Sequence, residues 1–260
     1  MISYIILGIG AGILAGLFGI GGGIVIVPAL VFIFGMSLLA ASGTSLAALL
    51  LPAGITALLQ YKRAGLLNIK ISAIVAFGIF CGSAIGANVA LNINNILLKQ
   101  IYGLFLIWAG IKFARPLDLF QTNKKNKEPD KTREDYENLK LYIFFAVGII
   151  AGIAAGMFGI GGGIVITAFL IGILKLPAKN AIAISLASLL LPVGLPGVIS
   201  YYMKGYIEVL PAIMIAIGIE LGSAFSANFA IKMKSDYIKR LYGCFIILIG
   251  IYFIIQKFLI

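Results

Sequence analysis

Two identical glycine-rich stretches have the clearest chemical potential in this chain. Residues 19–26 read GIGGGIVI, and residues 159–166 repeat those eight letters 140 positions later. Glycine has no Cβ, so another atom can approach its peptide groups closely. A helix that starts behind such a stretch presents unpaired N–H groups and a partial positive charge, which suits an anion. The backbone therefore predicts an anion site at Gly21, Gly22, Gly23, Gly161, Gly162 and Gly163. A tight turn that serves only chain geometry is the alternative.

Four polar residues interrupt otherwise apolar segments near these stretches. They are two repeat-related pairs, Ser45 with Ser185 and Asn88 with Asn228. Each side chain carries a hydrogen-bond donor that could bind an anion oxygen. The alternative is hydrogen bonding between packed helices, and both interpretations stay open.

Glu220 is the only carboxylate that we place inside an apolar segment, and its repeat partner is Phe80. An ionisable group inside a membrane is a functional hypothesis by default, so we expect Glu220 to couple transport to protons; an interfacial role is the alternative. The chain has no histidine, which removes imidazole acid–base catalysis and imidazole metal ligands. We expect no enzyme activity, metal or cofactor.

The composition indicates a multi-spanning membrane protein. Of 260 residues, 62% are hydrophobic and 11% are charged, and the mean hydropathy is +1.12. The 20 basic residues outnumber the 9 acidic ones. They stand at the ends of apolar runs, which sets orientation in a lipid bilayer, and they form no face for nucleic acid. Cys81 and Cys244 lie in apolar runs and fit a packing role.

The repeat extends over most of the chain and defines its domains. A shift of 140 positions matches Gly12 to Gly152 and Tyr102 to Tyr242 without a gap. We predict a first transmembrane repeat at 1–114, a charged cytoplasmic linker at 115–140 and a second repeat at 141–260. Each repeat contains a helix broken at the glycines and three spans. The spans are expected at 40–60, 70–91 and 96–114, and at 180–200, 209–231 and 238–256. Glycines at four-residue spacing, such as Gly8, Gly12 and Gly16, predict close helix packing.

The loop charges predict that the two repeats are inverted. Lys and Arg concentrate in cytoplasmic loops of membrane proteins. The linker, 61–70, 175–179 and 232–240 are rich in them, whereas 35–39, 92–95 and 201–208 carry one or none. Equivalent loops are thus biased to opposite sides of the membrane. Inversion requires an odd number of crossings per repeat, so each glycine-broken element must enter and leave on the same side.

The glycine motif resembles the sulfite exporter TauE/SafE family of membrane transporters. The element G-x-x-A-G-x-x-x-G-x-G-G-G runs from Gly12 to Gly23, with Ala15 and Gly16, and again from Gly152 to Gly163. The resemblance implies transport of a small anion, often sulfur-containing, such as sulfite or sulfoacetate, across a prokaryotic plasma membrane. It brings no catalytic residues.

Together these observations predict an all-α polytopic protein of about ten helical segments that acts as a secondary active transporter. Its partners would be a small anion, the lipid bilayer and protons as coupling ion, and the residues indicate no oligomeric state. A passive anion channel of the same architecture is the alternative. Alanine at Gly22 or Gly162 is expected to place a Cβ where the backbone meets the ligand.

Overall fold

A computed structural model describes residues 1–18, 22–51, 55–114, 140–230 and 236–255. Within these ranges the regular structure is helical, in twelve helices. The first six are α1 (Ile2–Phe18), α2 (Gly23–Phe32), α3 (Leu38–Ala48), α4 (Ile55–Arg63), α5 (Ile69–Asn92) and α6 (Asn95–Ala114). The others are α7 (Leu141–Phe158), α8 (Gly163–Gly172), α9 (Ala178–Leu190), α10 (Leu195–Met203), α11 (Val209–Ala230) and α12 (Asp236–Ile255). The predicted linker, apart from Lys140, lies outside the described residues.

Three of the described helices, α5, α7 and α11, are long and apolar enough to cross a membrane alone. Helices α9 and α10 reach that length together, as a pair bent by 47°. Helices α2 and α8 have 10 residues each, so each rises about 15 Å, half of a hydrocarbon core. The expected all-helical membrane architecture is therefore present.

The two glycine stretches end one helix and start the next, as the sequence predicts. The first glycine break, residues 19–23, lies between α1 and α2, and the second glycine break, residues 159–163, lies between α7 and α8. The residues that cap the short helices, Gly22 and Gly162, have φ of 73° and 81°. Only glycine adopts this left-handed conformation at low cost, so these positions need glycine.

The spans predicted at 40–60 and 180–200 are not single helices, because each is divided into two. Helix α3 ends at Ala48 and α4 begins at Ile55, while α9 ends at Leu190 and α10 begins at Leu195. Proline clashes with a helical residue before it and favours an extended one. Leu191, which precedes Pro192, has the extended angles φ −74° and ψ 152°. The proline therefore ends α9.

Helix packing divides the chain into two compact units. One contains α1–α5 and α7–α11, and the other contains α6 and α12. In the first unit the most extensive packing is between α1 and α11 and between α5 and α7. Each of these pairs joins a helix of the first sequence repeat to one of the second, and the 140-residue shift turns one pair into the other.

The interfaces of these pairs are made by glycine, which confirms the predicted close packing. A Cβ at Gly12 would lie 2.8 Å from the Ile219 Cα, and a Cβ at Gly152 would lie 2.8 Å from the Ile79 Cα. Such distances are shorter than any real Cβ contact, so the helix backbones meet directly. The paired positions keep the 140-residue offset, since Ile79 and Ile219 are repeat partners.

The second unit is a pair of repeat-related helices that touch at glycine. A Cβ at Gly103 on α6 would lie 2.7 Å from the Gly250 carbonyl oxygen and 2.9 Å from Ile254 on α12. A Cβ at Gly250 would lie 2.8 Å from the Ile107 side chain. Gly103 meets Ile254, whereas Ile107, further along α6, meets Gly250, which comes earlier in α12. The two helices therefore run antiparallel. The rings of Tyr102 and Phe253 meet edge to face 5.2 Å apart.

Candidate functional site

The start of α2 lies directly against the second glycine break. A Cβ at Gly23, the first residue of α2, would lie 2.6 Å from the Gly159 carbonyl oxygen and 2.6 Å from the Ile160 Cα. No side chain fits between these backbones. The first turns of α2 and α8 therefore start next to one another in the interior of the first unit, where Ile24, Ile26, Ile164 and Ile166 are buried.

A small cavity of about 40 Å³ lies beside the second break. On the same measure a cavity needs roughly 10–15 Å³ to hold one water molecule, so the space suits a small solute rather than a large one. Its walls include three repeat-related pairs, Ala15 with Ala155, Leu46 with Leu186 and Leu49 with Leu189. Equivalent positions of the two sequence repeats therefore contribute to the same cavity wall. Its polar wall includes Gly161 and Ser223.

The starts of α2 and α8 carry the backbone charge that could attract an anion. The first N–H groups of a helix have no partner within it. Gly162 accepts from the Ile166 N–H at 3.0 Å, and Gly22 accepts from the Val25 N–H at 3.0 Å, so the N–H groups before these remain outside the ladder. A helix N-terminus carries roughly half a positive charge. Residues 159–166 and 22–26 contain no charged side chain, so the backbone supplies this attraction.

Two predicted site residues, Ser45 and Ser185, contact the second glycine break. The Ser45 hydroxyl donates to the Gly159 carbonyl oxygen at 2.7 Å. The Ser185 hydroxyl donates to the Gly163 carbonyl oxygen at 3.3 Å. Both hydroxyls are buried and bind backbone carbonyls, so in this conformation they hold the break in shape. Their contact with an anion stays a prediction.

The structure does not bring Asn88 to the glycine breaks. Its amide donates to the Ala84 carbonyl oxygen of its own helix at 2.9 Å. The side chain is exposed and lines a shallow groove with Ala84, Ile85, Val89 and Asn92. Asn228 lies on α11, but its side chain is outside the described part of the chain, as is Gly21. Substrate contact by these residues therefore stays a prediction.

Glu220 lies on α11 and does not line the cavity. Its side chain is half-buried, and its repeat partner Phe80 is 44% exposed. The Glu220 carbonyl oxygen accepts from the hydroxyl of Ser223 at 3.1 Å, and Ser223 lines the cavity. This hydrogen bond lies within α11 and connects the backbone of Glu220 to Ser223 on the cavity wall. It does not involve the Glu220 carboxylate. A role in proton coupling stays a prediction.

Two further groups fix the walls of the site, and sequence reasoning missed the first of them. The buried Tyr201 hydroxyl donates to the Gly156 carbonyl oxygen at 2.9 Å, at the end of α7. The buried Ser83 hydroxyl donates to the Val193 carbonyl oxygen at 3.1 Å, and Val193 lines the cavity. The repeat contained a signal for the first group, because Tyr61 occupies the position equivalent to Tyr201.

The expected direction of a Cβ at Gly22 and Gly162 is wrong. A Cβ at Gly22 would lie 3.2 Å from the Ala11 carbonyl oxygen, and one at Gly162 would lie 2.9 Å from the Ala151 carbonyl oxygen. Both would point at the preceding long helix, because the left-handed angles turn these residues that way. Among the described glycines of the two breaks, Gly161 lies on the cavity wall, and a Cβ there would lie 3.0 Å from the Leu49 side chain.

Apolar helices broken at glycine and meeting in the protein interior define a class, the multi-pass membrane transporters. The chain belongs to the sulfite exporter TauE/SafE family, whose family model matches residues 4–253. The resemblance inferred from the glycine motif is thereby confirmed.

Relatives of similar length are named as transporters. The chain is 32% identical to "Probable membrane transporter protein MJ0441" of Methanocaldococcus jannaschii, over 96% of the chain and 94% of that relative. It is 29% identical to "Probable membrane transporter protein YunE" of Bacillus subtilis, over 95% of the chain and 94% of that relative. These names agree with the expectation that the chain is not an enzyme. No solved structure matches the chain significantly.

Proposed function

We propose that the chain is a secondary active transporter of a small sulfur-containing anion, sulfite or a short organosulfonate such as sulfoacetate, in a prokaryotic plasma membrane. The observation that carries this proposal is the direct contact of Gly23 with Gly159 and Ile160, beside a cavity lined by repeat-related residues. Two helix N-termini in one place attract an anion without a fixed positive side chain. A lysine or arginine at the membrane centre is costly, and it would hold the anion tightly.

The sulfur-containing class rests on the family description, sulfite exporter TauE/SafE. An oxyanion or sulfonate offers several acceptor oxygens to a ring of N–H and hydroxyl donors. The closed packing of Gly23 on the second break favours a transporter, in which the site opens alternately, over the alternative of a passive anion channel.

We further propose that the two repeats are inverted. The repeat-related helices α6 and α12 run antiparallel, as expected when equivalent elements cross the membrane in opposite directions. Two contacts agree with the distribution of Lys and Arg, because each brings a loop close to the helix that follows a loop of the same charge class. The Glu208 N–H donates to the Thr44 hydroxyl at 3.0 Å, which puts the 201–208 loop beside α3. The Asn180 amide donates to the Leu66 carbonyl oxygen at 3.2 Å, which puts the 61–70 loop beside α9.

Gradient-driven uptake by liposomes tests the proposed function. Purified protein in sealed liposomes is expected to accumulate sulfite or sulfoacetate when a pH gradient is imposed, and to exchange anion for anion without one. Glu220→Gln should abolish accumulation and spare exchange, because glutamine cannot carry a proton. The measurement is uptake of labelled anion, with protein-free liposomes as the control for leakage.

Three outcomes contradict parts of this account. Flux that follows only the anion gradient identifies a channel. No flux for any sulfur oxyanion or sulfonate removes the proposed substrate class. Unchanged accumulation by Glu220→Gln assigns that residue a structural role.

The inverted topology predicts opposite labelling of two exposed loops. After Cys81 and Cys244 are replaced by serine, a single cysteine at Lys204 should react with an impermeant thiol reagent in intact cells. A cysteine at Lys62 should react only after the membrane is opened, because we place its loop in the cytoplasm. Both residues are exposed, so accessibility depends on the side of the membrane. Equal labelling of the two in intact cells contradicts the inversion.

A further inference from the structure

A buried serine hydroxyl lies beside the second glycine break. Ser42 on α3 is 0% exposed. Among the residues that the structure describes, its hydroxyl makes no hydrogen bond. An unpaired polar group in the interior costs stability, so native proteins keep few of them and each calls for a ligand, a water or a functional reason.

The position of Ser42 points to the anion site. Its backbone lies against Gly159, because a Cβ on that glycine would lie 2.6 Å from the Ser42 Cα. Ser42 also precedes Leu46 and Leu49 at four- and seven-residue spacing, so the three share one stripe of α3. Leu46 and Leu49 line the cavity. Ser42 is not itself on the cavity wall, but it lies one helical turn before Leu46 on the same face of α3.

Packing does not demand a hydroxyl at this position. The repeat partner of Ser42 is Ile182, an apolar residue that packs against the cluster of Leu58, Tyr61, Ala183 and Leu186. Serine therefore replaces an apolar side chain in one of the two repeats only. The Ser45 hydroxyl, one turn further along α3, already donates to the Gly159 carbonyl oxygen at 2.7 Å. Among the described residues, the Ser42 hydroxyl has no such acceptor.

We infer that Ser42 is a specificity-determining residue whose hydroxyl donates a hydrogen bond to an oxygen of the transported anion. This inference rests on the proposed function. A hydroxyl hydrogen rotates to suit its acceptor. When the anion lies at the starts of α2 and α8, Ser42 adds a side-chain donor to the backbone N–H groups on the side of the second break. The substrate would then be an anion with an acceptor oxygen, held on that side.

Sulfite binding by purified protein in detergent tests this inference. Ser42→Ala should weaken sulfite affinity about tenfold, the typical loss of a hydrogen bond to a charged group. The melting temperature without anion should be unchanged or higher, because an unpaired buried hydroxyl is removed. Ser42→Cys, which nearly keeps the volume but donates weakly, should also lose affinity and so separates donor loss from cavity formation.

Ser188 provides the matched control. It is also a buried serine, but its hydroxyl donates to the Ile184 carbonyl oxygen at 2.8 Å. Ser188→Ala should keep wild-type affinity and lower the melting temperature. The inference is overturned when both Ser42 variants bind sulfite as wild type does, as expected for a hydroxyl that holds only a water, or when Ser188→Ala weakens binding equally. A wild-type protein that binds neither sulfite nor any sulfonate overturns the proposed function itself.

Discussion

Alanine in place of Gly12 is expected to lower the melting temperature of the purified protein by roughly 2–12 °C. A Cβ at Gly12 would collide with the Ile219 carbonyl oxygen and lie 2.8 Å from the Ile219 Cα. Both atoms are backbone within α11, so they cannot move aside as a side chain could. Overpacking of this kind costs about 1–3 kcal/mol, and each kcal/mol shifts the melting temperature by roughly 2–4 °C in a chain of this size. Thermal unfolding in detergent measures the loss.

Gly10, on the same helix, provides the control. Nothing lies within 4 Å of a Cβ at that position, and its repeat partner Ile150 is 45% exposed. Gly10→Ala should therefore leave the melting temperature unchanged or raise it, because alanine favours a helix by about 1 kcal/mol over glycine. Equal losses for Gly10→Ala and Gly12→Ala would contradict the packing of α1 on α11.

Gly161→Ala is expected to reduce anion affinity at least tenfold, or about 1.4 kcal/mol. Gly161 lines the cavity and has φ of 73°. A Cβ there would lie 3.0 Å from the Leu49 Cδ1, and Leu49 can yield only by moving within the cavity that it lines. The added methyl group therefore takes space that the anion needs, next to the N–H groups that attract it. Sulfite binding by wild-type and variant protein measures the loss.

Gly35→Ala separates this effect from backbone strain. Gly35 has φ of 68°, and nothing lies within 4 Å of a Cβ there. The left-handed conformation costs alanine roughly 1–2 kcal/mol at either position. Both variants should lose similar stability from strain, but only Gly161→Ala should lose affinity. Affinity that falls equally in both variants would show that strain alone is responsible.

The glycine breaks could be predicted because the signal for each is a short local sequence, and that sequence occurs twice. A run of glycines cannot continue a helix, and the match between residues 19–26 and 159–166 is literal. The start of α2 at Gly23 and of α8 at Gly163 follows directly. The contact of Gly23 with Gly159 and Ile160 joins the two halves of the chain, and no local pattern in the sequence predicts it.

The second pair of helix breaks was missed although a local signal was present. The apolar run Leu189–Leu191 continues into Pro192, and hydrophobicity alone favours one long span. The steric effect of proline on the residue before it outweighs the hydrophobic pattern. The extended angles of Leu191 show this effect. Weighting Pro192 above the apolar run would have divided the span correctly.

Asn88 shows that a polar residue in an apolar segment need not face the glycine breaks. The glycine stripe of α5 includes Gly82 and Gly86, and a Cβ on either would collide with α7. Residues two apart on a helix do not face the same way, so Asn88 turns away from the stripe and is exposed. Tyr201 was missed for another reason, since its partner Gly156 lies 45 residues away and no local pattern connects the two.

The position of a bound anion tests the central claim most directly. Crystals grown with 2-bromoethanesulfonate would give anomalous scattering from bromine, which locates the sulfonate without ambiguity against water. The account predicts sulfonate oxygens about 2.7–3.2 Å from backbone N–H groups at the start of α2 or α8, beside Gly161 and Ser42. A sulfonate more than one helical turn, about 5.4 Å, from both glycine breaks would contradict it.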